Sequence, residues 1–145
     1  MSGFDSIPVV LGQSDGTFRT ENLKPLMLQI EQALQDLMAG GAATVIDLGA
    51  MPFSKQDEQD LRQRLGEGEV SATLNAFGPT LVQETAIPAV WLVEHMDAEG
   101  RRLTLHIEVA RIPEILVTPK EDIAEGLEEL KGRNAAPEGL SDDSF

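Results

Sequence analysis

At Gly68 the apolar residues of this chain change period, from helical spacing before it to strict alternation after it, and no other feature narrows the fold so far. Before the switch, Leu23, Leu26, Met27, Ile30, Leu34, Leu37 and Met38 recur at helical spacing from Asn22 onward, and Gly40-Gly41 supplies a stop. Thr44 to Leu48 is a β-branched run between Gly41 and Gly49 and reads as a short buried strand. Ser54, with Asp57 three residues on, opens a second, polar helix that ends near Leu65 with Gly66 as its stop. After the switch, Val70, Ala72, Leu74 and Ala76 share one face of a strand, and Gly78-Pro79 turns the chain. Thr80 to Ile87, Ala89 to Met96 and Arg101 to Ile112 read as three more strands, the last two joined by Asp97-Ala98-Glu99-Gly100. Thr118-Pro119-Lys120-Glu121 reads as a capping box with Pro at the first helical position, opening a third helix that Gly132 ends. Helices grouped on either side of a run of strands predict an α+β fold, an antiparallel β-meander with helices packed on one face as a two-layer sandwich.

A chain of 145 residues suits one domain, large enough to bury roughly 68–70% of its unfolded surface. The expected organisation is a flexible leader over 1–21 with room for one edge strand, a single α+β domain over 22–132, and a disordered acidic tail over 133–145. With 11 Lys+Arg against 25 Asp+Glu the net charge is −14, which repels phosphate backbones and anionic lipid, so neither nucleic acid nor membrane is an expected partner. The chain has no Cys, and therefore no disulfide, thiol nucleophile or thiolate-ligated cluster of its own. Met1 to Leu11 has no basic segment, and its apolar run, Ile7 to Leu11, is too short for a secretion signal. A cytoplasmic location is the expectation.

The hairpin expected around Ala98-Glu99 pairs Met96 with Arg101, Val93 with Thr104, Trp91 with His106 and Ala89 with Glu108. That register puts Val90, Leu92, Leu103, Leu105, Ile107 and Val109 on the core face. Trp91, Val93, His95, Arg102, Thr104, His106 and Glu108 fall on the other, which is expected to be open. The single Trp then reads as a partly exposed interface anchor. His95 and His106 would lie about 13 Å apart at ~3.3 Å per residue, too far to share a metal, and no metal or other cofactor is expected. Gly66-Glu67-Gly68-Glu69 is no phosphate loop, because two carboxylates repel the anion such a loop binds. It reads either as a helix stop followed by a strand start, or as an acidic turn for basic groups and amides of a partner.

Two motifs carry a family likeness: Leu65-Gly66-Glu67-Gly68-Glu69-Val70, and Gln83-Glu84-Thr85-Ala86-Ile87-Pro88-Ala89-Val90-Trp91. Together and at this spacing they resemble the HupH/HyaF hydrogenase-expression proteins, accessory factors of nickel–iron hydrogenase maturation, over a stretch from about Gly66 to Ile115. The resemblance implies a non-enzymatic chaperone that binds an immature hydrogenase subunit, the small iron–sulfur-carrying one first, alongside other maturation factors. A chain without Cys suits a protector of a cluster site rather than a cluster donor. Family members are generally longer, so the chain resembles their C-terminal region standing almost alone. The residues expected to meet the partner, or a second copy of this chain in a homodimer, are Glu67, Glu69, Glu84, Trp91, His106 and Glu108. Two alternatives stand beside this reading. One is a small metal- or ligand-binding domain or hydrolase-like enzyme using Glu67, Glu69, Glu84 and His106; the other is a structural subunit of an unrelated complex.

Overall fold

A computed structural model describes residues 18–137. The chain divides into two compact units, one up to Pro113 and one from Glu114 onward. In the first, helix α1 (Leu23–Met38) is followed by strand β1 (Thr44–Asp47), a short 3-10 turn (Leu48–Ala50) and helix α2 (Lys55–Leu65). Strands β2 (Ser71–Asn75), β3 (Pro79–Glu84), β4 (Val90–Met96) and β5 (Arg102–Val109) complete it. They form one five-stranded antiparallel sheet in the order β1-β5-β4-β3-β2. The expected meander is present, and β1 extends it on the far side of β5. This is the α+β arrangement that the change of period predicts.

The local chemistry of each boundary is visible. After α1 the Gly41 amide donates to Asp36 O and the Gly40 amide to Leu37 O, a Schellman closure that satisfies two orphan carbonyls. The buried face of α1, with Leu23, Leu26, Ile30 and Ala33, joins Leu61 and Leu65 of α2 in one core with Val90, Leu92, Leu105, Ile107 and Val109 of the sheet. Burying a side chain of this size contributes roughly 1.5–3 kcal/mol, so this contact surface dominates the stability.

The hairpin between β4 and β5 departs from the expected register by two residues, and each has its own cause. The Gly100 amide donates to Asp97 O and the Asp97 amide to Arg101 O, with Gly100 at φ +84, so the turn holds one residue more than expected. A bulge between His95 and Met96 then adds a second, with Met96 opposite Arg102 but His95 opposite Thr104. Beyond it Val93 faces His106 and Trp91 faces Glu108. Two single-residue slips restore the alternation, so the faces assigned from Val93 down to Val90 survive the shift. Inside the bulge they do not. Leu103, expected in the core, is exposed, and Arg102, expected on the opposite face, reaches α2.

That displacement creates a clamp. Arg102 donates from Nη1 and Nη2 to the two carboxylate oxygens of Glu58 at 2.9 and 2.7 Å, and from Nε to Glu94 at 2.8 Å. Arg62 adds a bond of 3.0 Å to Glu58. Burial opposes ionisation of Glu58, but the hydrogen bonds from Arg102 and Arg62 outweigh it and hold the carboxyl below its ordinary value. A fork of this geometry fixes the angle of α2 on the sheet as well as its distance.

The start of α2 is a complete capping box. Ser54 Oγ accepts from the Asp57 amide at 3.0 Å, and Asp57 accepts from the Ser54 amide at 3.0 Å. Asp57 is buried, and its carboxylate also takes the backbone amide and hydroxyl of Thr20, which ties the segment before α1 to α2. Of the expected leader, positions 1–17 lie outside the described residues, and Arg19 and Thr20 at its end are held to Asp60 and Asp57.

In the second unit a 3-10 turn (Glu114–Leu116) precedes helix α3 (Lys120–Ala135). No capping box forms there: the helix begins one residue later than expected, so the N-cap is Pro119, whose side chain has no acceptor to offer, and its carbonyl accepts from the Asp122 and Ile123 amides. Gly132 does not end α3, which continues to Ala135. Most of the tail expected to be disordered, 138–145, lies outside the described residues.

Asp57 gives this fold a defined acid sensitivity. Burial opposes its ionisation, yet the bonds from Ser54 and Thr20 prevail and lower its pKa. A lowered folded value means the stabilisation is fully present above about pH 4, the unfolded carboxyl range, and is lost as pH falls through the folded value. Asp57→Ala is expected to cost about 2–3 kcal/mol at neutral pH, a lost cap plus unsatisfied donors. Urea unfolding at neutral and acid pH checks it: the gap between wild type and variant should narrow on acidification.

Candidate partner-binding site

The two motifs singled out in the sequence are in contact. Helix α2 ends at Gly66, with φ +71, and the chain then lies against the end of β3. The Ala86 amide donates to Leu65 O at 2.9 Å, the Gly68 amide to Glu84 O at 2.8 Å, and the Glu84 amide to Val70 O at 2.9 Å. A Cβ on Gly68 would stand 2.5 Å from Thr85 O, so only glycine allows this approach. The acidic turn is therefore a helix stop and strand start whose backbone points inward. Its carboxylates, Glu67 and Glu69, are left exposed.

The third expected acid has a different place. Glu84 is half-buried, and its Oε1 accepts from the Val70 amide at 3.3 Å, pinning the loop. Across the sheet it stands in register with Trp91, which stands in register with Glu108.

Trp91 is not the exposed anchor expected from the sequence. It is 7% exposed, and its indole Nε1 donates to Ala110 O at 3.0 Å. The alternation that puts it opposite Val90 and Leu92 is correct; the openness of its face is not. β4 is the middle strand of the sheet, and Val82, Val93, Thr85 and Glu108 on and beside the same face are buried with it. An indole whose only donor is satisfied internally has the features of a core side chain.

The histidines also differ from expectation. With the two-residue shift, His95 and His106 become diagonal neighbours with ring centroids 5.7 Å apart, in place of about 13 Å from the simple hairpin. Thr80 Oγ1 and His95 Nδ1 are 2.9 Å apart, and His106 Nε2 lies 3.6 Å from Glu108 Oε1. Among the described residues no three His, Cys, Asp or Glu side chains are grouped so as to hold a metal. His106 and the start of β2 are separated by β4 and β3, three strand spacings of about 4.8 Å, so His106 does not join Glu67 and Glu69 in one site.

The accessible features instead converge on the β2 side of the sheet. The helices leave part of β2 and β3 uncovered on their own side, where a groove of about 270 Å³ is lined by Arg62, Glu67, Thr73, Leu81, Gln83 and Leu92. Sequence reasoning passed over this groove, and it passed over Phe77. That residue stands fully exposed at the β2–β3 turn with φ +57, a conformation costly for a bulky side chain. The signal was present, because Phe77-Gly78-Pro79 places an aromatic in a turn where polar residues are usual.

A single antiparallel sheet backed on one side by two helices, with an acidic loop and groove at one edge, defines a two-layer α+β domain of a recognisable kind. The description of the family that matches is "HupH hydrogenase expression protein, C-terminal conserved region", over residues 20–136, and the chain belongs to that family. The match takes in α1, which the resemblance from Gly66 onward had not reached. Among relatives, the hydrogenase expression/formation protein HupQ of Azotobacter chroococcum mcd 1 is 30% identical over 112 residues, 76% of this chain and 39% of that protein. HupH of Rhodobacter capsulatus is 35% identical over 94 residues, 65% of this chain and 33% of that one. The chain thus spans about two fifths or less of these relatives' length. A solved structure, the hydrogenase expression protein HupH from Thiobacillus denitrificans ATCC 25259, is 42% identical with a TM-score of 0.78, covering 81% of this chain and 98% of its own.

Trp91 provides the test of the corrected site. Its fluorescence should be blue-shifted and shielded from soluble quenchers, with no Tyr to interfere. Trp91→Ala should cost about 3–5 kcal/mol of stability, as core aromatic truncations do. Red-shifted, freely quenched emission would return the indole to the surface.

Proposed function

We propose that this chain is a non-catalytic accessory protein of nickel–iron hydrogenase maturation, acting in the cytoplasm on an immature hydrogenase subunit. The small, iron–sulfur-carrying subunit is the first candidate, with other maturation factors alongside. Membership of the hydrogenase-expression family supports the process. The meeting of the two motifs supports the place: Gly66, Gly68 and Glu84 spend their interactions inside the fold, and Glu67 and Glu69 are free to face a partner. The contact surface is therefore the loop and the adjoining groove, and not the indole. Charges at the rim of such a surface act mainly on association rate and selectivity.

The absence of Cys fits the same role, since a chain without thiols can cover a partner's cluster site but cannot supply thiolate ligands. Among the described residues no helix is long and apolar enough to cross a membrane.

Capture from cells expressing hydrogenase tests the reading. The wild-type chain should retain a hydrogenase subunit, and the double reversal Glu67→Lys, Glu69→Lys should retain much less of it. The melting temperature should move by no more than a few degrees, because exposed substitutions usually cost less than about 0.5 kcal/mol. Equal capture by both proteins would remove the loop from the contact.

A further inference from the structure

We propose that β2 is an open pairing edge that takes up a basic, extended segment of a protein partner as a sixth strand. The inference rests on the partner-binding reading above and gives that surface its mode of recognition. Among the described residues β2 ends the sheet, with β3 on one side only. The Glu84 amide bonds to Val70 O, and the register then places Ala72 opposite Val82 and Leu74 opposite Thr80. By the alternation of an antiparallel ladder, Ser71, Thr73 and Asn75 direct their backbone N–H and C=O groups outward.

Edges of this kind are ordinarily protected by charge, proline or a bulge that turns them away. The sequence of β2, Ser-Ala-Thr-Leu-Asn, holds no charge and no proline, and its side chains at 71, 73 and 75 are exposed. The opposite edge, β1, is one residue shorter and carries Asp47. The neutral strand is also continuous with the groove beside Leu81, so that alternate side chains of an added strand have a surface to meet, as in other cases of strand addition.

Charge selects the occupant. Glu67 and Glu69 stand exposed at the entrance to β2, while the whole chain carries −14. Pairing two copies edge to edge would bring two such polyanions together, whereas a segment with Lys or Arg at one end would meet the two carboxylates. At the other end Phe77, fully exposed and held at positive φ, offers an apolar contact.

The probe is a panel of fluorescent nine-residue peptides with an alternating Thr-Val core, carrying Lys-Arg at the first end, at the second end, or replaced by Glu-Glu. At least one Lys-Arg peptide should bind the full chain by fluorescence anisotropy, and the Glu-Glu peptide should not. Thr73→Pro removes one outward N–H without touching the bonds to β3, and edge strands tolerate proline at such a position. It should weaken binding about tenfold or more, with Trp91 emission unchanged. Thr73→Lys, an exposed change that leaves the backbone intact, should weaken the basic peptide by charge even where the proline variant fails to fold.

Binding unaffected by both substitutions, binding of no peptide in the panel, or a wild-type dimer by sedimentation that Thr73→Lys dissociates would each overturn the proposal. The outcomes separate from those of the reading beneath it. Peptide binding with the expected losses, but no hydrogenase subunit captured from cells, would leave the edge in place and remove its hydrogenase assignment.

Discussion

The structure depends on the burial of one apolar stripe of α1 and one of α2 against the same face of the sheet. Leu26, Leu61, Leu65, Val90, Ile107 and Val109 are almost wholly withdrawn from water, and they come from four separate elements. No pair of these elements could hide its apolar surface alone. The sheet needs the helices as a cover, and the helices, one of them strongly polar, need the sheet as a floor. The other features are arranged around that contact: the ion clamp that fixes the tilt of α2, and the loop that leaves α2 on its way to β2.

The bulge between β4 and β5 shows how a small backbone irregularity can be structural. A regular hairpin would keep Arg102 on the face away from α2. The extra residue turns it toward Glu58 and Glu94, where a guanidinium fork joins the second helix to two strands. The exposure of Leu103 accompanies that exchange. Such half-exposed pairs contribute modestly one by one, but a bidentate arginine shared by two carboxylates specifies geometry in a way that apolar packing does not.

Family membership and physical reading bear on different questions here. The chain belongs to a family described as hydrogenase expression proteins, and the relatives are more than twice as long as the region they share with it. The geometry bears on how such a domain makes contact. It turns Gly66, Gly68 and Glu84 inward as supports, and leaves two carboxylates, a groove and a neutral strand edge outward. Under the proposed accessory role, a surface of that composition favours recognition through backbone pairing and charge over recognition through a buried aromatic.

The amino-acid sequence by itself determined the element types and the fold class, because both rest on interactions between near neighbours. The spacing of Leu23 to Met38, the Ser54–Asp57 box, the stop at Gly66 and the alternation after Gly68 are local signals, and each appears in the structure where it was read. The capping box at Thr118 fails because the helix begins one residue later, which puts at the N-cap Pro119, a residue with no side-chain acceptor. What only the tertiary structure decided is how strands are offset and what lies above each face. A turn one residue longer than expected and a single-residue bulge, neither visible as a periodic signal, moved His95 beside His106 and Arg102 onto α2. Alternation assigned Trp91 to the right face of β4 but was silent on whether that face meets water, since burial is set by neighbours distant in the chain. The acids at 67 and 69 were legible as candidates, whereas the open edge of β2 was not: a strand becomes an edge only when the order of the whole sheet is fixed.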